Sequence, residues 1–342
     1  MTGQSPEPSL PPAVLAVGPA RLDVFLAGAE MAAAAHGRRY LRRVGQPRDL
    51  IGHPDLADAE VLLMSGSSLC DRELLMAAPR LRAVISPFIG VEGIDAAAAS
   101  DRGVLVCNTP VPENYEGVAE GTVLLMLAAM YDLSGKAQLL RDMRPAPVDF
   151  DARMLWRKTV GLIGFGKIAQ SVARRLSTWD LRLLVHTRSD KPLSDYVERA
   201  ELDILLRESD VVVLLTSLNA ETHHLIDARK LALVKPDAVI VNTSRGAVAD
   251  EAALFAFAMA NPRARLALDV FETEPLPADS PLRTLPNALL TPHAIAGTRE
   301  VLTAIRQATA ANLTAVLDGA PQNVVNPRVL DAWLARTASG LE

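Results

Sequence analysis

Short apolar runs alternate with longer amphipathic stretches along most of the chain. In the first third, runs rich in Val, Ile, Leu and Ala predict strands at residues 13–17, 61–64, 83–86 and 104–107. Because the segments between these runs are long enough for helical crossovers, the pattern is typical of a parallel α/β sheet.

Residues 114–142 depart from this alternation. They form a long stretch rich in Ala, Leu, Met and Val that contains no proline. Proline-free apolar segments of this length favour helix over strand. The sequence therefore predicts one interdomain helix over 114–142, followed by a loop at 144–151.

A second alternating series follows the loop. It predicts six strands, at residues 159–163, 182–186, 210–215, 238–242, 265–269 and 288–290, and then an amphipathic helix over 299–317. Six strands joined by crossovers indicate a doubly wound sheet of the Rossmann type. We expect two domains: residues 111–295 as a dinucleotide-binding domain, and residues 1–110 with 296–342 as a smaller substrate domain.

Composition narrows the class of protein. The 342 residues suit two domains, and an apolar fraction of 49%, a charged fraction of 22% and a net charge of −5 describe a globular protein. No apolar run is long enough for a membrane span, and no clustered basic face suggests nucleic acid. Residues 1–13 lack the charge and apolar pattern of a signal peptide, so we expect a cytoplasmic location. Cys70 and Cys107 have no spacing that indicates a disulfide framework or a zinc site.

A glycine-rich turn lies between the first strand of the second series and the helix expected after it. Gly164, Gly166 and Ala169 form a GxGxxA pattern there. The first glycine permits a tight turn, the second lets the backbone approach a pyrophosphate, and the small third residue keeps helix and strand close. This context predicts a dinucleotide site, with a purely structural turn as the alternative.

The end of the next strand bears on the type of dinucleotide. NAD enzymes usually carry a carboxylate there for the ribose 2′-hydroxyl, whereas this chain has Thr187 and Arg188. An arginine can accommodate a 2′-phosphate, so the sequence favours NADP over NAD. Arg188 could equally be a solvated cation, and the nearby Asp190 blurs the assignment.

Four polar residues follow three later strands of the same domain. Arg245 comes after 238–242, Asp269 and Glu274 after the next strand, and His293 after the last. Carboxyl ends of parallel strands share one edge, where ligands bind. An arginine can bind a substrate carboxylate, and a histidine beside a carboxylate can act as a general acid. Each residue also has an ordinary alternative: a surface ion pair for Arg245, a helix cap for Asp269, a solvated loop acid for Glu274 and a turn residue for His293.

These segments resemble the D-isomer-specific 2-hydroxyacid dehydrogenase family, which includes glyoxylate/hydroxypyruvate reductases and phosphoglycerate dehydrogenases. The similarity rests on NTSRGAVADE, DVFETEP and TPH, and it extends over nearly the whole chain. It implies Arg245, Glu274 and His293 as catalytic residues. It also implies NAD(P)H-dependent, reversible reduction of a small 2-oxo acid to the D-2-hydroxy acid, in a cleft between a Rossmann-type domain and a flavodoxin-like one.

The resemblance implies further contacts. SPFIGVEGID is similar to the family loop whose amides receive the substrate carboxylate, here those of Ile89 and Gly90, together with Arg245. A homodimer built around the 114–142 helix is expected. The predicted cofactor contacts are Thr122, Gly164, Gly166, Lys167, Ile168, Thr187, Arg188, Thr243, Ser244, Asp269, His293 and Gly297.

Some segments depart from the family pattern. Met64-Ser-Gly-Ser stands where many members carry an arginine, which makes a phosphorylated substrate less attractive, and the segment at Ser217 leaves cofactor contacts there open.

A non-enzymatic, dinucleotide-sensing protein of the same fold is the alternative. Formate or phosphite oxidation is another, although formate enzymes carry Gln at the position of Glu274. Adjacent His223 and His224 should point apart, and no metal site is expected.

Overall fold

The computed structural model describes residues 11–147, 151–188, 190 and 192–338. Within these ranges the chain divides into two compact units. Unit 1 comprises the residues up to Glu113 together with those from Thr298 onward, and unit 2 is Asn114–Gly297. Each unit is built on one parallel sheet, so the expected α/β class with two sheets is confirmed.

The elements of the described ranges alternate between strand and helix. The strands are β1 (Ala13–Gly18), β2 (Arg39–Val44), β3 (Ala59–Met64), β4 (Ala83–Ile85), β5 (Leu105–Cys107), β6 (Thr159–Ile163), β7 (Arg182–His186), β8 (Glu198–Arg199), β9 (Val211–Leu214), β10 (Val239–Asn242), β11 (Arg265–Leu268) and β12 (Ala288–Leu290). The α-helices are α1 (Ala29–Ala35), α2 (Pro54–Ala57), α3 (Arg72–Met76), α4 (Ala96–Asp101), α5 (Pro112–Met130), α6 (Leu133–Arg141), α7 (Lys167–Leu176), α8 (Leu202–Glu208), α9 (Ala228–Leu231), α10 (Glu251–Ala260), α11 (Arg299–Leu317) and α12 (Leu330–Ala338). Short 3-10 helices occupy Ala20–Phe25, Pro47–Leu50, Gly246–Val248, Pro281–Thr284 and Pro327–Val329.

The sheet of unit 1 has the strand order β2-β1-β3-β4-β5, with every pairing parallel. This is the flavodoxin-like order. The apolar pattern missed β2, because three of its six residues are arginines, which interrupt the apolar run. Two of these arginines, Arg39 and Arg43, form ion pairs with Asp58 and Asp55. The charged residues thus belong to an edge strand rather than to a loop.

The sheet of unit 2 has the order β12-β11-β10-β9-β6-β7-β8, again fully parallel. Counted from β6, this is the Rossmann order 3-2-1-4-5-6 with a seventh strand added. The six predicted strands are present, and the two-residue β8 is additional. The order reverses between β6 and β9, so the crevice at the carboxyl ends of these two strands is the topological switch point.

The prediction of a single helix over 114–142 is wrong. The segment forms α5 and α6, whose axes are bent by 60°. Asp132 adopts a left-handed conformation with φ of 48° between them. An aspartate tolerates this conformation better than most residues do, but it leaves no sequence signal comparable to a proline. In the described ranges no helix is by itself long and apolar enough to cross a membrane, although α5 and α6 taken together satisfy that criterion.

Candidate active site

Three neighbouring strands of unit 2 end beside the predicted catalytic residues. Arg245 lies three residues beyond β10, Asp269 follows β11 directly, and His293 lies three residues beyond β12. The strands are adjacent in the order β12-β11-β10 and run parallel. The topology therefore brings these side chains to one edge of the sheet, where a ligand can meet all of them.

His293 and Glu274 form a hydrogen-bonded pair. The Nδ1 atom of His293 lies 2.6 Å from Oε2 of Glu274, and Oε1 of Glu274 accepts the Phe271 amide at 3.1 Å. Burial raises the pKa of Glu274. The hydrogen bond and charge of His293, the Phe271 amide and the Arg245 charge outweigh burial, so the pKa lies below its ordinary value. Because the ionised Glu274 accepts from Nδ1, the opposite nitrogen, Nε2, is left to face a reactant.

The turn that carries Arg245 is ordered by Asn242, for which the sequence predicted no role. The Oδ1 atom of Asn242 accepts hydrogen bonds from the amide and hydroxyl of Ser244 at 3.0 and 2.9 Å, and Nδ2 donates to the Arg245 carbonyl at 3.0 Å. Asn242 is only 1% exposed. Its three bonds fix the backbone from which the half-buried Arg245 extends, with Nη1 donating to the Ser244 carbonyl at 2.8 Å.

Gly246 lets two of these segments touch. A Cβ at this position would lie 1.8 Å from the carbonyl carbon of Phe271 and 2.3 Å from the Glu272 nitrogen. The turn after Arg245 thus packs directly on the backbone leading to Glu274. The glycine after the arginine in the sequence motif is the signal for close packing here, although no contact was predicted for it.

The glycine turn has the form expected of a dinucleotide cradle. Gly164 has φ of +99°, and a Cβ there would meet the Leu215 carbonyl oxygen at 2.6 Å, so β6 and β9 approach closely. A Cβ on Gly166 would meet nothing within 4 Å. Gly166 is also the N-cap of α7, whose first turn receives no side-chain cap. An open space above an uncapped helix N-terminus at the switch point fits a pyrophosphate.

The end of β7 is also polar. Arg188 forms an ion pair with Glu221, and Nη1 of Arg199 donates to the Thr187 carbonyl at 3.2 Å. Both members of the Arg188–Glu221 pair are about 70% exposed. The predicted cation is therefore present at this strand end, with a carboxylate from the loop after β9 beside it.

The other predicted cofactor residues of unit 2 occupy several settings. Thr122 is fully buried, and its hydroxyl lies 2.8 Å from that of Thr243 and 2.7 Å from the Val118 carbonyl. The Lys167 ammonium lies 4.7 Å from the centre of the Tyr115 ring. Ile168 packs partly buried against the core beside α5, and the Gly297 amide donates to the Ala294 carbonyl at 2.8 Å.

The predicted carboxylate loop belongs to unit 1. Ser86 organises it, because its hydroxyl accepts the amides of Gly66 and Phe88, each at 3.1 Å. The Ile89 carbonyl accepts Nδ2 of Asn108 at 2.8 Å. The N–H groups of Ile89 and Gly90 donate to no acceptor in the part of the chain that is described. Two adjacent amides are thereby left for an external anion.

The two adjacent histidines do not point apart. The rings of His223 and His224 are stacked with centroids 4.1 Å apart, and Nε2 of His224 lies 3.1 Å from Oε1 of Glu272. Within the described ranges no group of three or more His, Cys, Asp or Glu side chains is arranged to hold a metal ion.

Comparisons with known proteins show which family this chain belongs to. Residues 123–294 match the sequence model of the "D-isomer specific 2-hydroxyacid dehydrogenase, NAD binding domain". Glyoxylate/hydroxypyruvate reductase B of Pectobacterium carotovorum is 35% identical over 288 residues, which cover 82% of this chain and 89% of that protein.

Two solved structures are similar over nearly the whole chain. A glyoxylate reductase from Paecilomyes thermophila has a TM-score of 0.82 and 28% identity, covering 93% of this chain and 99% of its own. An NADPH-dependent glyoxylate/hydroxypyruvate reductase from Sinorhizobium meliloti, in complex with NADP and malonate, has a TM-score of 0.80 and 26% identity, with coverage of 93% and 97%.

Proposed function

Because this chain belongs to the D-isomer-specific 2-hydroxyacid dehydrogenase family and is an NAD(P)-dependent oxidoreductase, we propose that its reaction is the reversible reduction of a small, unphosphorylated 2-oxo acid to the D-2-hydroxy acid. The single observation that carries this proposal is the 2.6 Å contact between His293 and Glu274. Glyoxylate and hydroxypyruvate, which name the relatives' activities, are the first substrates to test.

The proposed roles follow from the chemistry of each side chain. Bound NAD(P)H supplies the hydride that reaches the keto carbon. The Arg245 guanidinium binds the substrate carboxylate in a geometry that a lysine could not reproduce. His293 donates a proton from Nε2 to the developing alkoxide, while the ionised Glu274 stabilises the imidazolium through Nδ1. Ile89 and Gly90 are proposed as further carboxylate donors, because their amides carry no described acceptor.

Steady-state reduction of glyoxylate and hydroxypyruvate tests these roles. We expect His293→Ala and Arg245→Ala to lower kcat/KM by at least about 100-fold, as losses of a general acid and of an oriented anchor do. His36→Ala and Arg229→Ala are matched controls, since these residues lie away from the strand ends and pair with Asp318 and Asp227. Unchanged rates in both site variants would refute the mechanism. Dinucleotide binding without turnover of any 2-oxo acid would favour the sensing alternative.

We propose that the cofactor is NADP rather than NAD. Arg188 follows β7, where no carboxylate stands at residues 186–188 to receive a ribose 2′-hydroxyl. Binding a 2′-phosphate requires Arg188 to exchange Glu221 for the phosphate. Arg188→Ala should weaken NADPH binding about tenfold and leave NADH binding unchanged, since a charged hydrogen bond contributes about 1.5–3 kcal/mol. Fluorescence titration with both cofactors measures this, with Arg229→Ala as the control. Equal losses for both would contradict the preference.

We also propose a homodimer formed through α5 and α6. Large apolar side chains are exposed on α6 and just beyond its end, including Leu140 at 81% and Met143 at 93%. A neighbouring groove of about 460 Å³ has Tyr131, Trp156 and Trp179 among its lining residues. Contiguous exposed apolar surface with aromatic anchors is typical of subunit interfaces.

Light scattering after gel filtration tests the dimer. Leu140→Glu should shift the mass toward that of one chain, because a charge would have to be buried in the contact. Met259→Glu, on the exposed side of α10, should leave the mass unchanged. A monomeric wild type at micromolar concentration, or a dimeric Leu140→Glu variant, would refute this assembly.

A further inference from the structure

The backbone of the predicted carboxylate loop is held by the two residues that follow β5. The Phe88 carbonyl accepts the Thr109 amide at 3.3 Å, and the Ile89 carbonyl accepts Nδ2 of Asn108 at 2.8 Å. The Thr109 hydroxyl donates to the Ser86 carbonyl at 2.8 Å. Three carbonyl groups of the loop are therefore turned toward residues 108 and 109.

These bonds also fix the direction of the two amides proposed to bind the substrate carboxylate. In a trans peptide unit the C=O and N–H bonds lie in one plane and point in opposite directions. The Phe88 carbonyl shares a peptide unit with the Ile89 amide, the Ile89 carbonyl shares one with the Gly90 amide, and neither unit is cis. Holding both carbonyls at residues 108 and 109 therefore turns both amides to the opposite side.

Asn312 of α11 holds these two residues in turn. Its Nδ2 atom donates to the Asn108 carbonyl at 2.9 Å and to the Thr109 hydroxyl oxygen at 3.2 Å. Its Oδ1 atom accepts Nδ2 of Asn323 at 2.9 Å. Asn312 and Thr109 are only 3% and 1% exposed. Because the groups are buried, removing the Asn312 amide would leave its partners unsatisfied, and residues 108 and 109 would have to shift.

We propose that Asn312 is a positioning residue that acts through the two residues it binds and thereby aims the loop amides at the substrate carboxylate. The inference rests on the role proposed above for the Ile89 and Gly90 amides. Asn312 lies 204 residues beyond Asn108 in the sequence, yet both belong to unit 1. The long carboxyl-terminal helix of unit 1 thus contributes to substrate affinity through a buried polar network.

Steady-state reduction of glyoxylate measures this contribution. Asn312→Ala and Thr109→Val should each raise KM about tenfold, since hydrogen bonds to a charged group contribute about ten- to a hundredfold in affinity. The kcat should change no more than about threefold, because the carboxylate is bound in the ground state and in the transition state alike. The Kd for NADPH, measured by fluorescence, should stay within about twofold. Thr109→Ser keeps the hydroxyl and should keep a wild-type KM.

Asn326→Ala is the matched control for loss of a buried asparagine in unit 1. Asn326 is 6% exposed, and its side chain accepts the Val106 amide at 2.8 Å and donates to the Val104 carbonyl at 2.9 Å and to the Ser100 hydroxyl at 3.0 Å. These bonds are made before and within β5 rather than at the residues that follow it. Asn326→Ala should lower Tm about as much as Asn312→Ala does, but leave KM unchanged.

Three results would each overturn the proposal: a wild-type KM in Thr109→Val, a KM that rises equally in Asn312→Ala and Asn326→Ala, or a Kd for NADPH that rises in parallel with KM. If Asn312→Ala does not fold, equal KM values for Thr109→Val and Thr109→Ser overturn it. An active wild type with any of these results refutes this inference alone. A wild-type enzyme that reduces no 2-oxo acid would instead refute the proposed function on which it rests.

Discussion

Gly246→Ala is expected to separate the two segments that carry Arg245 and Glu274. The added Cβ would lie 1.8 Å from the Phe271 carbonyl carbon and 2.1 Å from its oxygen, whereas ordinary contact begins at 3.4 Å. The backbones must therefore move apart by about 1.6 Å, the difference between 3.4 and 1.8 Å. Both atoms belong to the main chain, so no side-chain rotation can relieve the clash. Displacement on this scale typically costs about 100-fold in rate and about 1–3 kcal/mol in stability.

The assay combines steady-state reduction of glyoxylate with thermal unfolding. We expect kcat/KM to fall about 100-fold or more, and Tm to fall by roughly 2–12 °C for a unit of this size. Gly135→Ala in α6 is the matched control, because the three atoms nearest to its Cβ, from 2.4 Å, all belong to the Asp132 side chain, which can rotate away. The control should be active and, as an alanine within a helix, more stable by about 0.5–1 kcal/mol. A Gly246→Ala enzyme with wild-type kcat/KM and Tm would refute this reasoning.

Three further predictions concern stability. Burial raises the pKa of Glu274, yet its partners, led by the His293 hydrogen bond, bring the pKa below the ordinary 4.5. Ionised Glu274 thus stabilises the fold above about pH 4.5, and this contribution disappears as the pH falls through the lowered pKa. The Tm difference between wild type and Glu274→Gln should shrink in that window, and a constant difference would contradict the assignment. The Ser171 hydrogen bond and neighbouring arginines lower the pKa of Glu116 to about 2. The Tm advantage of wild type over Glu116→Gln should therefore vanish as the pH falls from 4.5 to about 2. An advantage that persists at pH 2 would contradict this lowered pKa. Asp250 caps α10 through the Ala253 amide, and Asp250→Ala should cost about 1 kcal/mol in urea unfolding; an unchanged midpoint would show that the cap contributes nothing.

Local patterns predicted most of the sheet framework. The expected bounds 159–163, 182–186 and 288–290 coincide with β6, β7 and β12, because each apolar run is bounded by polar or turn-forming residues. The edge strand β2 escaped notice because its arginines resemble a solvated segment. The bend at Asp132 also escaped notice, since its left-handed conformation has no counterpart in composition or periodicity.

The site was predictable as a set of residues but not as a network. The positions of Glu274 and His293 after two strands led to the expected contact between them, which the structure contains. The partners of Gly246 and Thr291 could not be identified from the sequence, because these contacts arise where segments distant in sequence touch. Gly246 meets Phe271, and Thr291 meets Asp269, 22 residues away. No periodicity spans such a gap, so these contacts require the fold.

The division of the chain at Glu113 and Thr298 has a consequence for biosynthesis. Unit 2 is one uninterrupted stretch, whereas unit 1 needs residues from both ends of the chain. The core of unit 1 includes Leu313 and Trp333, which are 0% and 1% exposed. These side chains leave the ribosome only after the whole of unit 2 has been synthesised. Part of the apolar surface of the unit 1 sheet therefore stays uncovered while unit 2 is synthesised and until the carboxyl-terminal segment of unit 1 packs on it. The nascent protein is most prone to aggregation during this interval.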